Sequence, residues 1–429
     1  MAPIADHPLR YALTGELHAR PFPNVSAPQV VAYVAIKQAG DAAARDRDRS
    51  EDVAHLTRLL KHYGAPLPDA DATHYYGAMG KYWLKWEQHT EFVTYTAFSE
   101  DLSARPFDPA EFDVFPDHWL DSTPGQRLTS ALLRLMPSPE NPDQTKATLR
   151  EWFVPESLAA AEVLDGAAVV ATDFRIDPGG HMRFAVFVPG DTGVRRVGRI
   201  IQRLLEIETY KTMSMLGFAL TREISPKVGE MDRQLSDLMG KMSAQELRAE
   251  TTLDSLLDVS VELEATVAKT SFRFAGTAAY KAIVYQRIEA LREARFEGIQ
   301  GFGEFMMRRY EPAMRTVVSM ETRLQRMAAR ALRASDLLRT RVDVERSAQN
   351  QAILESMDKR ADLQLRLQHT VEGLSVVAIS YYAVSLAGYL LYPLTEVTGL
   401  SKGLLTAIVT LPVVLLVWAA VRRVRRKLG

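Results

Sequence analysis

Two short segments concentrate the side chains that do acid–base and ligand chemistry. The first runs His7-Pro-Leu-Arg10 and continues after a gap as Glu16-Leu-His18-Ala-Arg20-Pro-Phe22. The second is Trp86-Glu87-Gln88-His89-Thr90-Glu91-Phe92. Read as part of a strand, the second segment places Glu87, His89 and Glu91 on one face and Trp86, Gln88, Thr90 and Phe92 on the other. Same-face neighbours stand about 7 Å apart along a strand. A row of two carboxylates and an imidazole suits three roles. It can coordinate a hard cation or line a small-ligand pocket. It can pair with Arg10 and Arg20 and so pin the N-terminal segment to a sheet. It can also carry general acid–base catalysis. On the pairing reading, His18 and Arg20 lie close to the Glu87/His89/Glu91 face. No spacing here separates the three roles, so cofactor and metal stay unassigned.

Other chemistry is excluded by what is missing. The 429 residues include no cysteine, which removes disulfides, thiolate metal sites and thiol catalysis together. No phosphate-binding Walker loop, Gly-x-Ser-x-Gly elbow or His-Glu-x-x-His helix occurs. An enzyme is therefore the least expected of the readings. Gly298-Ile-Gln-Gly-Phe-Gly303 is glycine-rich, but its helical, Arg-rich context leads us to expect no strand before it, and it reads as a helix break or close-packing point. The 52 basic and 53 acidic residues nearly cancel, so no nucleic-acid partner is expected.

The elements that position these groups fall into three parts, and the fold class is α+β. Residues 1–190 hold most of the prolines and read as a mixed α/β domain. Strands are expected at Gln29–Lys37, His74–Leu84 and Glu87–Phe98. Ala167–Arg175 and Met182–Val188 flank Asp177-Pro-Gly-Gly180 as a hairpin. Asp41–Tyr63 has a helical pattern, and Leu128–Met136, bracketed by Pro124 and Pro137, is expected to be a short apolar helix. Residues 191–370 are rich in strong helix formers, with prolines only at 226 and 312, and read as a helical stalk. Val317, Leu324, Met327, Ala331 and Leu338 give an apolar stripe that fades between Arg339 and Asn350. That break favours packing against the preceding helices over a continuous two-stranded coiled coil.

The C-terminal part reads as a membrane hairpin. Val371–Tyr392 carries one charge, Glu372, and Gly403–Val421 carries none. Each run has about the length needed to cross a hydrocarbon core. Spans 371–392 and 403–421 are joined by a tight connection, and one long helix is expected to enter the first span from the stalk. Arg422, Arg423, Arg425, Arg426 and Lys427 form a basic tail (422–429), whereas the connection holds only Lys402. Positive charge stays inside, so both termini and the domains before the hairpin are expected in the cytoplasm of a bacterial inner membrane. In the first span Ser375, Tyr382, Ser385, Tyr389 and Tyr392 fall within an arc of about 100°. Gly373, Ser380 and Ala387 lie on another face. A hydroxyl stripe suits a water-lined pore for a hydrated cation, and it equally suits hydrogen bonding between helices.

His7-Pro-Leu-Arg10, Glu16–Phe22, Trp86–Phe92 and Ser380-Tyr-Tyr-Ala-Val-Ser-Leu-Ala-Gly-Tyr389 resemble a bacterial family of uncharacterised membrane-anchored proteins, domain of unknown function 3422. That resemblance implies a membrane protein of this length and carries no activity with it. The architecture alone is similar to CorA-type divalent-cation channels, homopentamers whose first span lines the pore. Their Gly-Met-Asn hallmark at the outer end of that span is replaced here by Tyr392-Pro-Leu-Thr-Glu-Val-Thr-Gly399. Glu396 is then the one carboxylate in the loop able to attract a cation. Two functions follow as expectations. One is a membrane-tethered scaffold or sensor that binds a partner or small ligand. The other is a homo-oligomeric divalent-cation channel. The lipid bilayer is the partner common to both.

Overall fold

The computed structural model describes residues 4, 6–16, 22–38, 48–244, 249–393 and 401–428. The chain is α+β and divides into two compact units: Met1–Leu247 with Asp254–Ser335, and Arg248–Leu253 with Asp336–Gly429.

The first unit opens with a short helix, α1 (Arg10–Glu16), and is built on one mixed sheet. Its strands are β1 (Gln29–Lys37), β2 (His74–Met79), β3 (Tyr82–Gln88), β4 (Phe92–Ser99) and β5 (Gln126–Pro137). They continue with β6 (Ala159–Val163), β7 (Ala168–Thr172), β8 (Met182–Val188) and β9 (Ala294–Arg295). The order across the sheet is β2-β3-β4-β1-β5-β8-β7-β6-β9. β5 and β8 run parallel, and the other neighbours are antiparallel. β1 sits between β4 and β5 and is buried along nearly its whole length, which is why its sequence is a β-branched run without polar alternation.

Three expectations change here. Leu128–Met136 is strand, not helix. A short apolar run between prolines fits either state, and being buried on both faces hides the two-residue period that would have marked it. The expected strand over 74–84 is interrupted by a two-residue turn at Gly80-Lys81, where Gly80 takes φ +61°. The expected strand over 87–98 is interrupted at His89–Glu91, so Glu87 lies in the last two residues of β3 while His89 and Glu91 lie in the turn before β4. The helix expected over 41–63 appears as α2 (Arg49–His62), with the Asp48 carboxylate accepting from the Ser50 N–H at its start. Residues 41–47 lie outside the described residues.

Each face of the sheet buries a different chemistry. One face is apolar. Ala32, Val34, Leu84, Trp86, Val93 and Tyr95 pack with Leu56, Leu59 and Leu60 of α2 and with Trp119 of α3 (Asp117–Asp121). Leu149 of α4 (Pro142–Trp152) closes the same core. His55 of α2 is fully buried there. Its Nδ1 is 3.0 Å from the Tyr95 hydroxyl, its Nε2 is 3.1 Å from the Trp119 carbonyl, and its ring stacks on the Trp119 indole at 4.0 Å. Both nitrogens are used, so the neutral ring fits, and burial lowers its pKa to about 4.

A group whose folded pKa lies below its unfolded value stabilises the fold above the unfolded pKa. That stability is lost as pH falls towards the folded pKa. For His55 the window is pH 6.5 down to about 4, and the loss reaches about 3 kcal/mol. His181, bonded to Ser130 at 3.0 Å and likewise depressed by burial, acts in the same direction. Denaturation midpoints measured across that window should fall with pH, and His55→Gln should flatten the slope.

The other sheet face is covered by α5 (Val194–Ala244), which continues through Pro226. α6 (Ala249–Leu291) and the first part of α7 (Phe302–Leu390) pack with it in the first unit. Buried residues recur at three-to-four spacing: Ile224, Val228, Met231 and Leu235 on α5, and Val317, Leu324, Met327 and Ala331 on α7. Gly217 of α5 allows the close approach of α6, since a Cβ there would stand 2.1 Å from the Thr277 hydroxyl. Ser214 bonds Tyr310 at 2.8 Å, and Arg323 pairs with Asp232 at 2.7 Å, tying α7 to α5. The glycine-rich segment 298–303 forms the turn into α7. The Glu293 carboxylate accepts the Gly303 N–H at 2.8 Å and so satisfies a free donor of the helix start. It occupies the space that side chains at Gly301 and Gly303 would need.

In the second unit α7 runs without a break to Leu390, and α8 (Lys402–Leu428) follows. Both helices contain a stretch long and apolar enough to cross a membrane. From residue 343 to 371 every side chain of α7 is exposed. Further on, one stripe is covered: Ser380 is buried, and Val376, Ala383, Val384, Ala387 and Gly388 are half-buried. α8 shows a matching stripe at Leu405, Val409, Val413, Val417 and Val421. Small and β-branched residues at four-residue spacing are the pattern by which two apolar helices pack closely.

Candidate functional site

The sheet face under α5 is where the ionisable groups gather. In β3, Lys85 and Glu87 are two residues apart and therefore point the same way, towards α5. On α5, Gln202 and Glu206 are four apart and share a face. Lys85 Nζ donates to Gln202 Oε1 at 2.9 Å and lies 2.9 Å from Glu87 Oε2. Gln202 Nε2 donates to Glu206 Oε1 at 2.7 Å, and Arg287 of α6 pairs with the same carboxylate. The result is a chain Glu87–Lys85–Gln202–Glu206–Arg287 in which each charge has an opposite or polar neighbour. Partial burial is tolerable only on those terms. Beside it the Tyr33 hydroxyl meets Thr209 at 2.5 Å, and burial raises the Tyr33 pKa well above its ordinary value.

A second network adjoins the first. Glu91, in the β3–β4 turn, is 2.5 Å from Arg273 and accepts the Tyr280 hydroxyl at 2.9 Å. Burial raises the Tyr280 pKa, and the Glu91 charge adds to the effect. His89 stacks on Phe92 at 4.4 Å, and Tyr210 stacks on Tyr280 at 5.6 Å. Between the two networks lies a cavity of about 30 Å³, room for roughly one or two water molecules. Lys85, Glu87, Gln202 and Glu206 form its polar wall, while His89, Phe92 and Tyr210 form its aromatic wall.

The residues singled out from sequence are distributed as follows. Glu87 and His89 both line the cavity, and Glu91 stands behind it, bound to α6. Arg10 pairs with Asp6 on the surface, and His7 Nδ1 accepts the Leu9 N–H at 3.2 Å. His18, Arg20 and Glu396 lie outside the described residues, as does the side chain of Glu16. Among the described residues no group of three or more His, Asp or Glu side chains is arranged to hold a metal ion. In the apolar helix Tyr382 and Tyr389 are 72% and 78% exposed, and Tyr392 is exposed with Lys402 Nζ 5.7 Å from its ring centre. Ser385 is half-buried, and Ser375 donates to the Val371 carbonyl of its own helix at 2.8 Å.

Sequence reasoning missed Lys85, Gln202, Glu206, Arg273, Tyr280 and Arg287. The i, i+2 pair in β3 and the i, i+4 pair on α5 were available signals. The contacts joining them span from 81 to 189 residues of sequence, and no local pattern announces them.

No curated protein and no solved structure matches this chain. One family model does, over residues 5–428, and the chain belongs to that family: protein of unknown function, DUF3422.

Proposed function

We propose that the chain is a membrane-anchored binding protein, a scaffold or sensor at the cytoplasmic face of the bacterial inner membrane. The observation that carries this reading is where the ionisable groups are. The linked acids and bases and their cavity belong to the sheet unit. From Gly373 to Tyr392 and from Gly403 to Val421 there is no Asp, Glu, Lys, Arg or His. Ion and proton pathways through membranes are usually marked by such groups. The Ser375 hydroxyl satisfies itself on its own helix, so it needs no water-filled pore. The basic residues Arg422, Arg423, Arg425, Arg426 and Lys427 at the end of α8, against a connection whose one base is Lys402, support a reading in which both termini lie in the cytoplasm.

A second reading, a homo-oligomeric cation channel, draws on one feature, the exposed Tyr382 and Tyr389 on the Ser375/Ser385 side. Phenol hydroxyls at membrane depth favour protein or water over lipid. Copies of the first span around a shared axis would cover them. Exchanging residues 371–421 for an unrelated two-span hairpin separates the readings. The anchored binding protein keeps its cellular function after the exchange. Loss of function with normal membrane insertion would overturn that reading in favour of the channel.

A further inference from the structure

The first turns of α5 carry Arg196, Arg199 and Arg203, at three- and four-residue spacing and hence on one helix face. Arg292, just past the end of α6, reaches the same place. Together with Gln286 and Glu289 they line an open groove of about 800 Å³. The way these arginines are held leaves their charge available. Arg196 donates to the Leu164 carbonyl, and Arg203 donates to the Ala290 carbonyl at 2.9 Å. Carbonyls fix a guanidinium in place without neutralising it, and each fork keeps further N–H donors unused. Arg292 pairs with Asp165 at 2.7 Å, but both are exposed and the pair is weak. Arg199 lies over the Phe22 ring at 5.9 Å. Among the described residues no carboxylate is in ion-pair contact with Arg196, Arg199 or Arg203. The crowding is felt electrostatically: burial lowers the Arg203 pKa, and Arg199, Arg287 and Arg292 lower it further, with the Glu206 carboxylate offsetting part of the effect.

Like charges gathered this closely oppose folding unless a counter-ion joins them. The planar forks match phosphate oxygens two at a time. The groove is far larger than a single phosphate needs, and its cations sit on two sides of it. We propose that this groove is a binding site for an anion carrying two or more phosphate groups, seated between Arg196, Arg199 and Arg203 on one side and Arg292 on the other. Such phosphates belong to a soluble polyphosphorylated molecule or to clustered anionic lipid headgroups. This site is separate from the Lys85–Glu206 cavity and does not depend on it.

The full chain reconstituted in zwitterionic nanodiscs, titrated with tripolyphosphate, tests the soluble source. The same chain in nanodiscs containing phosphatidylglycerol, without tripolyphosphate, tests the lipid source. Calorimetry gives the affinity, and hydrogen exchange of residues 194–203 and 286–292 reports the place. A soluble source gives saturable binding and protection in the first arm, weakening steeply with salt. A lipid source gives protection in the second arm alone. In whichever arm responds, Arg199→Ala should weaken the effect by about tenfold, Arg199→Glu with Arg292→Glu should abolish it, and Arg199→Lys should fall between. Arg199 and Arg292 are exposed, so unchanged melting of the variants is the control for folding. Protection in neither arm, or protection that survives the double charge reversal, overturns the proposal.

Discussion

Arg273→Ala is expected to lower the stability of the sheet unit by about 3–5 kcal/mol, the largest loss of any single substitution considered in this protein. The side chains of Arg273 and Glu91 are 2% and 8% exposed. Removing the guanidinium leaves a carboxylate in a nearly dry site with the Tyr280 hydroxyl as a remaining donor. The cost is the desolvation of an uncompensated charge, which is larger than the attraction the pair had supplied. The same logic predicts recovery: Arg273→Met combined with Glu91→Leu should restore most of the loss, because neither charge then remains buried. Trp86 and Trp119 are buried in the same sheet unit and provide a fluorescence signal for its unfolding by denaturant. A single-variant loss under about 1 kcal/mol would mean that water reaches Glu91 and that the turn is not held as described.

Deleting residues 371–428 is expected to move the protein from the membrane fraction to the soluble fraction completely. α8 carries no charge between Leu404 and Val421, and its Leu, Ile and Val side chains are largely exposed. In water such a surface costs roughly 25 cal/mol for each Å² of apolar area, and in lipid it costs nothing. Each Leu, Ile or Val at the centre of a span contributes about −0.3 to −0.6 kcal/mol to insertion, so a whole span strongly favours the bilayer. The sheet unit buries its own core around β1 and α2 and should remain folded after the deletion, with its tryptophan fluorescence unchanged. A truncated protein that still sediments with membranes and resists high salt would show a second site of attachment.

How much could be seen in the sequence follows from where the signal lies. The apolar runs 371–392 and 403–421 were legible because nothing but a long uncharged stretch is needed to mark them. β1, the 167–188 hairpin and the long helices were legible from β-branched runs, Pro-Gly punctuation and helix formers. β5 was misread because a central strand buried on both faces has no alternation to show. Of the site, Glu87, His89 and Glu91 were picked out by residue type, yet their common strand face was wrong. The turn at 89–91 re-aims Glu91 towards α6, where Arg273 receives it. The arginine that meets Glu91 stands 182 residues further on, and only the folded sheet brings the two together.

The central claim is that the apolar hairpin holds the chain in a membrane with the sheet unit on the cytoplasmic side. The chain has no cysteine, so a single introduced thiol is an unambiguous probe. Glu140 is exposed in the sheet unit, and Ser401 is exposed where α8 begins. With Glu140→Cys and Ser401→Cys made separately, intact cells are treated with a membrane-impermeant thiol reagent. Labelling of the Ser401→Cys protein in intact cells, and of the Glu140→Cys protein only after lysis, is the predicted result. Labelling of the Glu140→Cys protein in intact cells, with the Ser401→Cys protein protected, would contradict the orientation and everything proposed for the cytoplasmic unit.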